Sequence, residues 1–156
     1  MKFPFVKLYV LASLWLFISC RSENISGIEK IERTFENGKP EFIVTYSEQD
    51  SSKIAEKYLY EDGKTKAEGE IKSEKRNGTW YSYYNNGNKW SMNTYIDGVL
   101  HGPYQTWHEN GQLFQVGQLE SGKPTGIWKF YNEKGELTKE HDCAKEPMPW
   151  NSPTQL

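Results

Sequence analysis

Apolar positions along this chain fall into one continuous block followed by a long periodic region. The block is Leu8 to Ile18, apolar except for Ser13. Beyond it the apolar residues are mainly aromatic and recur every 24 residues. Gly78-Thr79-Trp80-Tyr81-Ser82-Tyr83, Gly102-Pro103-Tyr104-Gln105-Thr106-Trp107 and Gly126-Ile127-Trp128-Lys129-Phe130-Tyr131 align without an insertion. Two aromatic columns emerge, Trp80/Tyr104/Trp128 and Tyr83/Trp107/Tyr131, and Ile71/Tyr95/Leu119 forms a third apolar column that Cys143 continues. Segments of about six to eight residues rich in Trp, Tyr, Phe, Val and Thr, set between turn residues, predict strands. No stretch carries a helical period with caps.

Glycines set the register. Gly63, Gly87, Gly111 and Gly135 are spaced by 24, and Asn86-Gly87 and Asn110-Gly111 are hairpin-turn dipeptides. Gly98 and Gly122 form another column, within loops such as Ile96 to His101. Gly69, Asn93 and Gly117 form a further one, whose tolerance for Gly or Asn alone predicts a bulge within the second strand of each repeat. With Gly78, Gly102 and Gly126, eleven of the 13 glycines lie in these four columns, too regular for scattered loops. The expected fold is all-β: tandem 24-residue β-hairpins over residues 61–143, stacked into an elongated antiparallel sheet. Such units are stable only as a stack. Residues 28–60, where Gly38 sits 25 residues before Gly63 and Ser47 to Lys53 is a polar insertion, read as a degenerate capping repeat. Residues 144–156 hold Pro147, Pro149 and Pro153 and read as a disordered tail.

The apolar block changes where this fold is expected to work. Lys2 and Lys7 precede it, and Ser19-Cys20 ends it, which is the shape of a secretory signal over residues 1–19. Eleven residues at ~1.5 Å rise cover only about half a bilayer core, so a spanning helix is the weaker reading. Phe17-Ile18-Ser19-Cys20 resembles a lipobox, with Phe17 where Leu is usual. That resemblance implies lipidation of Cys20, a short tether over residues 20–27 and attachment to a membrane. Arg21, in place of an Asp that would resemble an inner-membrane retention signal, favours an outer-membrane or cell-surface location. Lipidation would leave Cys143 as the only free thiol and exclude an intramolecular disulfide.

Composition narrows the partners. Without Lys2 and Lys7 the chain keeps 17 basic against 21 acidic residues, a poor match for nucleic acid, which demands clustered cations. His101, His108 and His141 are not paired at ligand spacing, so no metal site is expected. No phosphate loop, nucleophile elbow or triad context appears, so neither cofactor nor catalysis is expected.

The repeat is similar to the MORN-repeat variant of bacterial proteins. Asn86-Gly87, Asp97-Gly98, His101-Gly102-Pro103-Tyr104 and Trp107 carry the resemblance in one unit. Glu109-Asn110-Gly111, Ser121-Gly122-Lys123, Gly126, Trp128 and Tyr131 carry it in the next. It covers residues 61–143 well and 28–60 poorly. The resemblance implies a hairpin array used for binding. Proteins of this kind are often labelled YwqK-type antitoxins; that activity does not transfer to a lipoprotein outside the cytoplasm, which cannot reach a cytosolic toxin. Trp80, Tyr83, Tyr104, Trp107, Trp128 and Tyr131 are then the candidate contact residues, as core or as an open ladder. They would meet a protein partner or stack on a cell-wall glycan. Because the two aromatic columns are three residues apart, either they lie on opposite faces or a bend brings both inward.

Overall fold

The computed structural model describes residues 27–148. The signal segment, Cys20 and most of the expected tether lie outside them. Ten strands follow in chain order: β1 Ile28–Thr34, β2 Pro40–Tyr46, β3 Lys53–Leu59, β4 Thr65–Lys72, β5 Lys75–Tyr83, β6 Lys89–Ile96, β7 Val99–Trp107, β8 Leu113–Glu120, β9 Lys123–Tyr131 and β10 Leu137–Asp142. They pair antiparallel as neighbours in one ten-stranded sheet. The described residues contain no helix. The all-β array expected from the 24-residue period is therefore the fold.

Each repeat turns twice, and both turns are tight. Along one side of the sheet run five-residue loops. In the loop 84–88, Tyr84 N–H donates to Asn88 O at 2.8 Å and Gly87 N–H donates to Tyr84 O at 2.9 Å. Gly87 takes φ 91° and Asn86 Oδ1 accepts from Asn88 N–H, a type I turn closed by a left-handed glycine. Loops at 35–39, 60–64, 108–112 and 132–136 close with the same pair of bonds, the first of them despite the 25-residue offset. Along the other side lie two-residue turns, Ser73-Glu74, Asp97-Gly98 and Ser121-Gly122, with positive φ at both positions. Ile96 to His101 is therefore not a loop: Val99 pairs with Ile96, and only Asp97-Gly98 turns. In the polar insertion Ser47 to Lys53, residues 47–52 replace such a turn with a longer one between β2 and β3, and Lys53 opens β3.

The expected bulge belongs to the opposite strand. Gly69, Asn93 and Gly117 are absent from the positive-φ residues, whereas Gly78, Gly102 and Gly126 adopt φ 64°, 98° and 64°. Between the pairs Asn93↔Tyr104 and Tyr95↔Leu100, three residues of β7 face one of β6. β9 bulges against β8 in the same way, between Val116↔Lys129 and Gln118↔Thr125. The Gly/Asn column has another cause. A Cβ built on Gly69 would sit 2.4 Å from the Trp80 ring, and one on Gly117 would sit 2.2 Å from the Trp128 ring. Those glycines supply space for a ring rather than backbone freedom.

The core occupies one face. Ile71, Trp80 and Tyr95 form one buried cluster; Tyr104, Leu119 and Trp128 form a second, and Leu100 packs against both. Within the expected tail, residues 144–148 form a turn and bend: Met148 and Cys143 pack on the second cluster, and Cys143 N–H donates to Gly126 O. Burial of an aromatic side chain removes 150–250 Å² from water, which at about 25 cal/mol/Å² makes these rings the main apolar contribution of a thin sheet.

Candidate functional site

The two aromatic columns separate onto opposite faces, as alternation along an extended strand requires. The first column is core. Trp80, Tyr104 and Trp128 are 2%, 2% and 0% exposed, so their rings present nothing to a ligand. That corrects their place among the contact candidates: each ring is laid across its neighbour's Gly or Asn and closed in by Ile71, Tyr95 or Leu119. Trp80 Nε1–H donates to Glu70 O at 2.9 Å, and the Arg76 guanidinium caps the Trp80 ring at 4.0 Å. Burial pushes the Tyr104 hydroxyl up to about 12.

The second column, Tyr83, Trp107 and Tyr131, lies half-buried on the other, outer face. Lys89 Nζ sits 5.2 Å from the Tyr81 ring centroid and 5.8 Å from that of Trp107, and so bridges the two rings. Tyr83 Oη donates to Glu68 Oε1 at 3.2 Å. Burial, with the Glu68 carboxylate adding to it, raises the Tyr83 hydroxyl to about 12.

A third column, not singled out by its sequence, holds that ring row in place. Tyr60 Oη donates to Tyr83 O at 2.7 Å and Tyr84 Oη to Trp107 O at 2.9 Å; His108 Nε2 is 2.9 Å from Tyr131 O. A carbonyl only accepts, so His108 carries a proton on Nε2. Each residue reaches forward 23 positions, binding the backbone of an outer-face ring residue one repeat on. The signal was present as Tyr60/Tyr84/His108 at the common 24-residue interval. Asn side chains add a parallel stitch between loops, with Asn86 Nδ2 donating to Glu109 O and Asn110 Nδ2 to Glu133 O.

The other two histidines are also engaged locally. His101 Nδ1 accepts from Ser121 N–H at 3.4 Å, and His141 Nε2 lies 2.7 Å from Glu146 O. Among the described residues no group of His, Cys, Asp and Glu is placed to hold a metal ion. A groove of about 360 Å³ opens beside Phe35, Tyr58, Tyr60 and Lys66; its guanidinium, from Arg33, is taken up by Glu41 at 2.6 Å.

The repeat boundaries identify the unit. The family model of the MORN repeat variant matches residues 76–97, 100–121 and 124–142. The chain carries three MORN-variant repeats. Each match opens within a bulged strand and ends at the two-residue turn or, in the last, at the end of β10. MORN repeats are generally protein- or membrane-interaction modules, and the family is in general non-catalytic. No curated protein matches the chain.

Proposed function

We propose that this chain is a membrane-anchored repeat lipoprotein that acts as a protein-interaction or scaffold module at the cell envelope, without catalysis of its own. The observation that carries the binding role is the outer-face ring row. Tyr83, Trp107 and Tyr131 are half-exposed, and every one has its backbone carbonyl fixed by Tyr60, Tyr84 or His108. Rigid aromatic side chains on an extended surface are the usual anchors of a protein interface. The envelope location rests on the sequence alone: the apolar block, Ser19-Cys20 and the lipobox resemblance.

Affinity capture of partners from envelope extracts, with wild type against Trp107→Ala, tests the binding role. A specific protein lost with Trp107→Ala, while circular dichroism is unchanged, is the expected result; equal capture by both chains counts against the role of this row. The same rings could instead stack on sugars, and they favour that second reading because stacking needs a half-exposed aromatic face. Retention on purified cell wall, with no protein partner, would replace the first reading by a glycan-binding one. For the anchor, fatty-acid labelling is expected in the wild type and absent in Cys20→Ala. An unlabelled wild type would remove the lipoprotein part of the proposal.

A further inference from the structure

The outer face carries a row of residues whose charges invert when the row is read in reverse. One residue from each of β3 to β10 stands directly beside the next: Lys57, Glu68, Tyr81, Met92, Gln105, Val116, Lys129 and Glu140. The middle four are uncharged. Each end is an ion pair, Lys57 with Glu68 at 3.5 Å and Lys129 with Glu140 at 3.3 Å. Read in reverse, the row exchanges every lysine for a glutamate and leaves the uncharged centre in place.

That symmetry has a geometric meaning. Lay a second copy face to face on this row, related by a two-fold axis parallel to the strands and passing between β6 and β7. Met92 then faces Gln105 of the copy, and Tyr81 faces Val116. Glu68 faces Lys129, and Lys57 faces Glu140. A two-fold contact must be complementary to its own reverse, and all four charges here meet an opposite one. The next row toward the five-residue loops obeys the same operation. Its members form four register pairs, Leu59 with Thr65, Tyr83 with Lys89, Trp107 with Leu113 and Tyr131 with Leu137. The axis sets Leu59 against Leu137, Thr65 against Tyr131, Tyr83 against Leu113 and Lys89 against Trp107. No like charges oppose one another in either row, and Lys89 meets a ring face it can bind.

The surface is available for this. The four charged side chains are between 36% and 49% exposed, and no other segment of the described chain packs as a layer over this face, since all ten strands belong to one sheet. In the first row the uncharged centre, with charges at its margins, matches the layout of protein interfaces. Two sheets packed about 10 Å apart with nearly aligned strands would let the two rows interdigitate.

We propose that this half of the outer face, between the bulges and the five-residue loops, docks a second copy of the chain to form a two-fold, sheet-on-sheet dimer. The proposal does not depend on the anchor, but it uses the same ring row, Tyr83, Trp107 and Tyr131, that is proposed above to meet an envelope partner, so the second copy and that partner would compete for it.

Charge exchange tests it. Sedimentation equilibrium of the full chain in density-matched detergent is expected to show a dimer for the wild type. Glu68→Lys alone sets lysine against Lys129 twice, and Lys129→Glu alone sets glutamate against Glu68 twice. Each is expected to weaken self-association by at least about tenfold. In an equimolar mixture both contacts become attractive, so a heterodimer near wild-type affinity should return. Strains within each chain are identical in the mixture, so recovery reports the contact between chains. A monomeric wild type, unaltered association in the single variants, or a mixture that stays monomeric would each overturn the proposal. Should circular dichroism show either variant unfolded, Lys57→Glu and Glu140→Lys pose the same test at the outer pair.

Discussion

Two parts of the core solve one packing problem in different ways. In the cells around Trp80 and Trp128 the facing residue is glycine, and the indole lies so close that a Cβ on Gly69 or Gly117 would fall 2.4 or 2.2 Å from it. In the cell between them the ring is Tyr104 and the facing residue is Asn93. A smaller ring leaves room for a side chain; a larger one needs none. Toward the preceding strand, the larger ring thus goes with glycine and the smaller ring with asparagine. Tyr104 and Trp128 approach to 5.4 Å between centroids because only Gly117 separates them, whereas Asn93 stands between Trp80 and Tyr104. Interiors packed to crystal-like density enforce such exchanges.

The comparison is broken most severely by emptying one cell. Trp128→Ala removes a fully buried indole and is expected to cost about 4 kcal/mol, measured by urea denaturation. Gly117→Ala leaves the ring and fills its space. With a rigid ring at 2.2 Å and backbone on the other side, neither partner can yield cheaply, and about 3 kcal/mol is expected. The sharper experiment moves the middle cell's solution into the outer one. Gly117→Asn with Trp128→Tyr should be more stable than the sum of the two single changes predicts, by at least about 1 kcal/mol. Strict additivity would show that the Gly–Trp and Asn–Tyr pairs do not trade volume.

The cells also differ in how they answer alkali. An indole does not titrate, but the buried Tyr104 hydroxyl is pushed up to about 12, above the unfolded value near 10. The folded state therefore holds its proton where the unfolded chain has lost it. Stability from this group is complete below pH 10 and falls as pH climbs from 10 through 12, by up to about 3 kcal/mol. Denaturation at pH 9 and pH 11.5 should show this loss, and Tyr104→Phe should flatten it. A residual slope is expected from Tyr83, whose hydroxyl is raised by burial and by Glu68. An equal slope in Tyr104→Phe would show that Tyr104 is not the group responsible.

Periodicity alone made the all-β repeat, the places of the hairpin turns and the apolar Ile71/Tyr95/Leu119 column legible in the chain. The Asn-Gly dipeptides read as the turns themselves, however, are only part of five-residue loops in which the glycine and not the asparagine takes positive φ. Periodicity did not reveal why a column exists. Gly69 and Gly117 share an interval with the turn glycines, and composition alone cannot separate a glycine kept for φ from one kept for space. The distinction depends on what lies across the sheet, a register set by the bulges at Gly78, Gly102 and Gly126. The ring columns had the same ambiguity. Two aromatics three residues apart could share a face or divide, and only strand alternation through Trp80 to Tyr83 decided that they divide. The Tyr60/Tyr84/His108 clamp was readable as an interval but chemically disguised, because a phenol and an imidazole do the same work as donors to a carbonyl.

The smallest expected effect isolates the other kind of glycine. Gly87 adopts φ +91° and has no atom within 4 Å of an added Cβ, so Gly87→Ala meets no clash at all. Its only penalty is the left-handed backbone, about 1 kcal/mol. Gly87→Asn should cost less, because asparagine tolerates that conformation and extends into open solvent. The same two substitutions at Gly117 should rank the other way, with the larger asparagine worse than alanine, because there volume decides and φ does not. Thermal denaturation of the four single variants therefore separates the two functions of glycine within one repeat. If alanine is better tolerated than asparagine at Gly87 as well, volume governs both positions and the distinction between loop and core glycines falls.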